Sequence, residues 1–148
     1  MNNIDITGGT PRQRHYVESM VHYCIKMLMP RMRTLDITVK LCKPKGALGY
    51  CLREDNRIYE IEIDSTQRLR RMLETIAHEM VHVKQYARRE MNDATIDKHY
   101  KWKASLVPEN TNYWDLPWEI EAHGRECGLF VRWAEENEIG DKKWTQTG

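Results

Sequence analysis

Cysteine is sparse in this chain of 148 residues, and Cys24, Cys42, Cys51 and Cys127 form no Cys-x-x-Cys pair. Two disulfides are arithmetically possible, but without a secretory signal the cysteines are read as reduced packing residues, so the metal chemistry must come from other residue types. No apolar run approaches the roughly 20 residues needed to span a bilayer. The opening residues lack the basic and apolar regions of a signal peptide, which makes a cytoplasmic protein with reduced, buried cysteines the expectation. Charge of one sign is lacking too: 23 basic residues stand against 22 acidic ones. A near-neutral chain gives no electrostatic reason to expect nucleic acid or a membrane surface as a partner. Repeats and low-complexity segments are absent.

What remains suits one domain with one core, large enough to bury about two-thirds of its unfolded surface. Residues 1–9 read as a flexible tail, 10–138 as the domain, and 139–148 as a second flexible tail. Thr10-Pro11-Arg12-Gln13 has the form of a capping box with proline in the first turn. Val17, Met20, Val21, Cys24, Ile25 and Leu28 follow at helical spacing, and Pro30 ends the run. Three strands come next: Ile37, Val39 and Leu41 alternate with polar residues, as do Leu48, Tyr50 and Leu52, then Tyr59, Ile61 and Ile63. Residues 54–57 are a plausible hairpin turn between the second and third. Asp64 or Ser65 is placed to cap a long helix reaching about Arg89. Residues 90–114 read mainly as a functional loop or lid, with Trp102 to Val107 as a short strand. Asp115-Leu116-Pro117 opens a last helix ending near Glu136. The order predicts an α+β domain in which a small, twisted three-stranded sheet packs on the second helix, flanked by N- and C-terminal helices.

That second helix carries His78-Glu79-Met80-Val81-His82. Two histidines four residues apart lie one turn above each other on one helix face, so both imidazoles can reach one ion. Neutral imidazole suits Zn²⁺, and three protein ligands plus water is the usual catalytic arrangement. Glu79 lies about 60° around the helix from His82, outside the ligand line but within reach of that water as its general base. Chance would supply this five-residue pattern in on the order of one in a few hundred chains of this length. Leu69, Met72, Leu73, Ile76, Met80, Val83 and Ala87 trace an apolar face. Arg71, Thr75, His78, His82 and Gln85 trace a separate polar one.

The third ligand must lie elsewhere, and Leu-Pro-Trp-Glu-Ile-Glu-Ala-His-Gly-Arg-Glu at 116–126 is the best source. Glu119 and Glu121 point about 160° apart on a helix. Ile120, Ala122, Cys127, Leu129, Phe130, Val131, Trp133 and Ala134 form an arc centred near Glu119. A carboxylate there is costly unless paired or metal-bound. This favours Glu119 and leaves Glu121 as a solvated charge. His123 and Glu126 share the inward stripe, either as a buried pair or as groups orienting a ligating histidine.

The His-Glu-Met-Val-His run followed by Glu119-Ile-Glu-Ala122 resembles the zincin metallopeptidases of the gluzincin branch. It is most similar to small SprT-like or ImmA/IrrE-like metallopeptidases, many of them phage or prophage encoded. Val-His-Val-Lys-Gln-Tyr and Pro-Trp-Glu-x-Glu-Ala carry that likeness, which covers roughly residues 58–130. It implies a zincin-like fold, a Zn²⁺ cofactor, His78, His82 and Glu119 as ligands, and Glu79 as catalytic base. It also implies a peptide or protein substrate and, for a phage protein, the cytoplasm of a bacterial host. SprT proteins proper take a third histidine from a His-Gly-x-x-aromatic stretch. Here His99-Tyr100-Lys101-Trp102 lacks the glycine, which keeps His99 beside Glu119 and Glu121 as a third-ligand alternative. Tyr113, Tyr100, His99 and Arg125 stand as oxyanion donors, with nothing in the sequence selecting among them. Two rival functions are a non-catalytic zinc module and a DNA-associated SprT-type protease. The arginines at 68, 70, 71, 88 and 89 are read as solvated charges balanced by Glu74, Glu79 and Glu90.

Overall fold

The computed structural model describes residues 1–147, the side chains of Asp93 and Ala94 apart. It has an α+β architecture built around one long central helix. Strand β1 (Asn3–Gly8) leads into helix α1 (Pro11–Leu28), which is followed by β2 (Asp36–Cys42), β3 (Gly49–Asp55) and β4 (Ile58–Asp64). Helix α2 (Leu69–Ala87) comes next, then β5 (Met91–Ile96), β6 (His99–Trp102) and β7 (Ser105–Pro108). A 3-10 turn (Tyr113–Asp115) precedes α3 (Pro117–Glu136) and the short α4 (Lys143–Gln146).

The main sheet has the order β1-β2-β4-β3, with β1, β2 and β4 parallel and β3 antiparallel on the edge. Val39 lies opposite Ile61 and Leu41 opposite Ile63. These buried residues form the inner face, against which α1 and α2 pack. Helix α1 starts as its sequence predicts: Gln13 N–H donates to Thr10 Oγ1 and Thr10 N–H to Gln13 Oε1, a complete capping box.

Several expectations are corrected. Residues 1–9 contain a paired strand, giving a sheet of four strands rather than three. The turn from β1 to α1 needs Gly8, whose φ is +78° and whose added Cβ would sit 2.3 Å from the Leu41 carbonyl oxygen. Helix α2 begins later than expected, with Arg68 as N-cap and no side-chain cap. The Asp64 carboxylate is already engaged, accepting from Thr66 N–H and Oγ1–H. Residues 91–108 are a three-stranded meander rather than a loop. The single strand expected from Trp102 to Val107 is instead the hairpin between β6 and β7, with Lys103 at φ 51° in the turn. The stretch from 139 onward is not all tail, because α4 brings Trp144 against Trp133, Tyr16 and Phe130. All four cysteines are free, though only Cys24 is buried and Cys127 is exposed.

The central helix explains how the site is positioned. Every residue from 72 to 85 is buried, the polar stripe included. One side of α2 meets the sheet and α1, and α3 covers another. A polar stripe under a second helix must find internal partners, and α3 supplies them.

Candidate metal centre

His78, Glu79 and His82 project from the buried middle of α2, away from both helix ends. Gly49 lets β3 come close to this helix, since a Cβ there would meet Thr75 Cγ2 at 2.8 Å. Across α2 lies the first turn of α3, opened by Pro117 and carrying Glu119. A carboxylate in the first turn is favoured by the unpaired N–H groups and dipole of a helix start.

Glu119 meets both histidines. Its Oε1 is 3.1 Å from His78 Nε2 and its Oε2 is 3.2 Å from His82 Nε2. Tetrahedral zinc bonded to nitrogen and oxygen at about 2.0–2.1 Å separates its ligand atoms by about 3.3 Å. The three side chains thus have the chemistry and the spacing of such a donor set, and they form one of two groupings able to hold a metal among the described residues. The other is His78, His123 and Glu126.

That second group is better satisfied as hydrogen bonds. Glu126 Oε1 takes His123 Nδ1 at 2.7 Å and faces His78 Nδ1 at 3.4 Å, while its Oε2 accepts from Arg71 at 3.2 Å. Glu126 therefore stands behind His78 and leaves Nε2 of that ring toward Glu119. Behind His82 the partner is Gln85, whose Oε1 lies 2.8 Å from Nδ1. From the turn before α3, the Tyr113 hydroxyl donates to Glu119 Oε1 at 2.9 Å and lies 3.0 Å from His123 Nε2.

The protonation states follow from these contacts. Burial pushes the His78 pKa down, but hydrogen bonds to Glu119 and Glu126 outweigh it and hold it up at about 9. His82 is likewise raised, burial being overcome by Glu119 and Glu79. Glu119 is lowered because the two imidazoles and Tyr113 outweigh its burial. Glu79 is shifted up by burial, against the pull of His82 and His78. Only 6% exposed, the Glu79 carboxylate has no hydrogen-bond or ion-pair partner among the described residues. It lines a cleft of about 310 Å³ together with Gly49, Tyr50, Cys51, His82 and Glu119. A roomier cleft of about 600 Å³ adjoins it at Tyr86 and Met91 but contains none of these metal-binding groups.

The structure brings His78, Glu79, His82, Glu119, His123, Glu126 and Tyr113 together. It does not bring His99, which sits on β6 with Nδ1 2.7 Å from the Asp97 carbonyl and belongs to neither grouping. Tyr100 packs edge-on against Trp118, and Arg125 donates to Glu121. Glu121 itself is corrected from a solvated charge to a partner of Lys84, Gln85 and Arg125. The reason is the direction of α3's buried stripe, which runs through Trp118, Ala122, Glu126, Leu129 and Trp133. Ile120, Cys127 and Val131, expected inward, are exposed, so Glu119 and Glu121 lie on opposite flanks of the stripe rather than at its centre and back. Arg70 and Arg71 are also engaged, with Glu74 and Glu126. Gln85 and Lys84 were given no role by the sequence. The signal for Gln85 was its place three residues after His82 on the same helical face. No family model, curated protein or solved structure matches the chain.

Proposed function

We propose that the protein is a zinc-dependent metallopeptidase with a zincin-like arrangement, His78, His82 and Glu119 holding the metal and Glu79 acting as general base. One observation carries this reading: the two imidazole Nε2 atoms and the Glu119 carboxylate converge at 3.1 and 3.2 Å beside an unpartnered, buried glutamate. A purely structural site has no use for that fourth group. Zinc held there would supply a Lewis acid for a carbonyl oxygen and acidify water.

The protein's own groups account for the remaining steps. Glu79 takes a proton from water on its carboxylate oxygen and returns it to the leaving amine, a transfer helped by burial, which raises its pKa. Tyr113 offers a hydroxyl donor to the carbonyl oxygen as negative charge develops there. Strand β3 is the edge of the main sheet and lines the cleft at Gly49, Tyr50 and Cys51. Its unpaired backbone groups suit an extended peptide added as a further strand. The substrate is therefore a peptide or an unfolded protein segment. Among the described residues no helix is long and apolar enough to cross a membrane.

The test is Glu79→Gln. The variant should retain zinc and fold and lose turnover of any peptide that the wild type cleaves from a broad library. Equal turnover by the two proteins removes Glu79 from the mechanism. A wild type that holds zinc, cleaves nothing and fails to bind a hydroxamate points to the closed, non-catalytic module instead.

A further inference from the structure

Gln85 is completely buried and makes three hydrogen bonds, and their directions are forced. Its amide nitrogen donates to the Trp118 carbonyl at 2.9 Å and to Glu121 Oε1 at 3.0 Å. Neither acceptor can donate: one is a backbone carbonyl, and the other is a carboxylate paired with Lys84 at 2.6 Å and Arg125 at 3.0 Å. Both N–H groups are thereby used, and only the amide oxygen is left for His82 Nδ1, 2.8 Å away. An acceptor at that distance requires Nδ1 to carry the proton. In the neutral ring the lone pair is then on Nε2, the atom facing Glu119.

We infer that Gln85 is a positioning residue that fixes the His82 tautomer, and that Glu121 and Lys84 act on the metal site through it by fixing which way the amide points. The inference rests on the metallopeptidase reading and deepens it. Lys84, 5% exposed, has no contact with the metal-binding group; its Nζ is shared between Glu121 and, at 2.8 Å, Glu90. The choice of amide over carboxylate has a physical reason. A glutamate at 85 would set a second buried negative charge against Glu121 and leave the Trp118 carbonyl without its donor. The two candidate histidine ligands are thus backed differently: His78 by a carboxylate tied to Arg71, His82 by a neutral amide tied to an ion pair.

The test uses zinc ion itself as the probe on the full chain, with affinity measured by competition against a chromophoric chelator at a temperature where each metal-free variant is folded. Q85M, which keeps the volume and removes the hydrogen bonds, should bind zinc about 10–100-fold more weakly than wild type. E121Q, which leaves Gln85 in place but frees its orientation, should lose a smaller factor, and H82A should lose tight binding altogether. Long-range proton–nitrogen NMR of the metal-free protein, at a pH where the His82 ring is neutral, should show the proton on Nδ1 in wild type and a mixture of tautomers in Q85M, a signature that general destabilisation does not produce. If Q85M and E121Q match wild type while H82A fails to bind, the Gln85 inference is wrong and the metal reading stands. A neutral His82 ring protonated at Nε2 in the metal-free wild type has the same consequence. Wild type and H82A equally indifferent to zinc overturn both.

Discussion

The Tyr113 hydroxyl reaches Glu119 from outside both helices of the site, donating to Oε1 at 2.9 Å while lying 3.0 Å from His123 Nε2. The hydroxyl thus bridges Glu119 and His123, and Tyr113 is 46% exposed at the mouth of the cleft. A hydroxyl held in this way can turn to a substrate oxygen once Glu119 is occupied by a metal. Tyr113→Phe should therefore lower kcat by about 10²–10³-fold, the usual consequence of losing one oxyanion donor. Zinc affinity should fall by less than about tenfold. Steady-state kinetics at saturating zinc separate this from a role in holding Glu119 alone, which would weaken zinc binding and leave kcat in place.

Glu119→Gln should abolish tight zinc binding, whereas Glu121→Gln should weaken it only modestly. The two carboxylates flank the same buried stripe, yet one meets imidazole nitrogens and the other meets Lys84 and Gln85. Zinc content after dialysis, measured by elemental analysis on both variants, decides this. Retention by the Glu119 variant and loss by the Glu121 variant would invert the assignment.

Without metal, stability should depend on pH in a definite direction. His78 is held at about 9 against a usual value of 6.5, so its contribution is fully present below pH 6.5 and is lost as pH rises through 9. Glu119 is shifted below its usual 4.5, so its contribution is present above that pH and is lost as pH falls below it. The chelated protein should be most stable between roughly pH 4.5 and 6.5. Zinc reverses the alkaline trend, because ligation needs the neutral imidazoles and competes with their protons. Thermal midpoints with and without zinc across pH 4–10 test both signs. A metal-free midpoint that climbs from pH 6.5 to 9 would contradict the charged histidine–glutamate cluster.

The parts of this site that lie along one helix were legible in the sequence; those that depend on one helix crossing another were not. The side-by-side placement of His78, Glu79 and His82 can be read because helical period alone sets their directions. Thr10 and Gln13 revealed the start of α1 because a capping box is local. The apolar neighbours of Glu119 point it inward, and it does meet both histidines, but they misplace the centre of the arc, since Ile120 and Val131 are exposed. How far a helix rolls about its axis is decided by its partner, here α2, and no single-helix pattern contains it. The same limit hid the Lys84–Glu121 pair, whose members are 37 residues apart. Strand β1 went unseen because Ile4 and Ile6 are too short an alternation to mark a strand without β2 beside it.

X-ray absorption on the protein loaded with zinc reports the atoms around the ion themselves. About one zinc per chain is expected, with nitrogen and oxygen neighbours at about 2.0–2.1 Å and imidazole scattering from two rings, and no zinc should be retained by His78→Ala or His82→Ala. A preparation that takes up no zinc, or a spectrum dominated by sulfur at about 2.3 Å, would contradict that expectation.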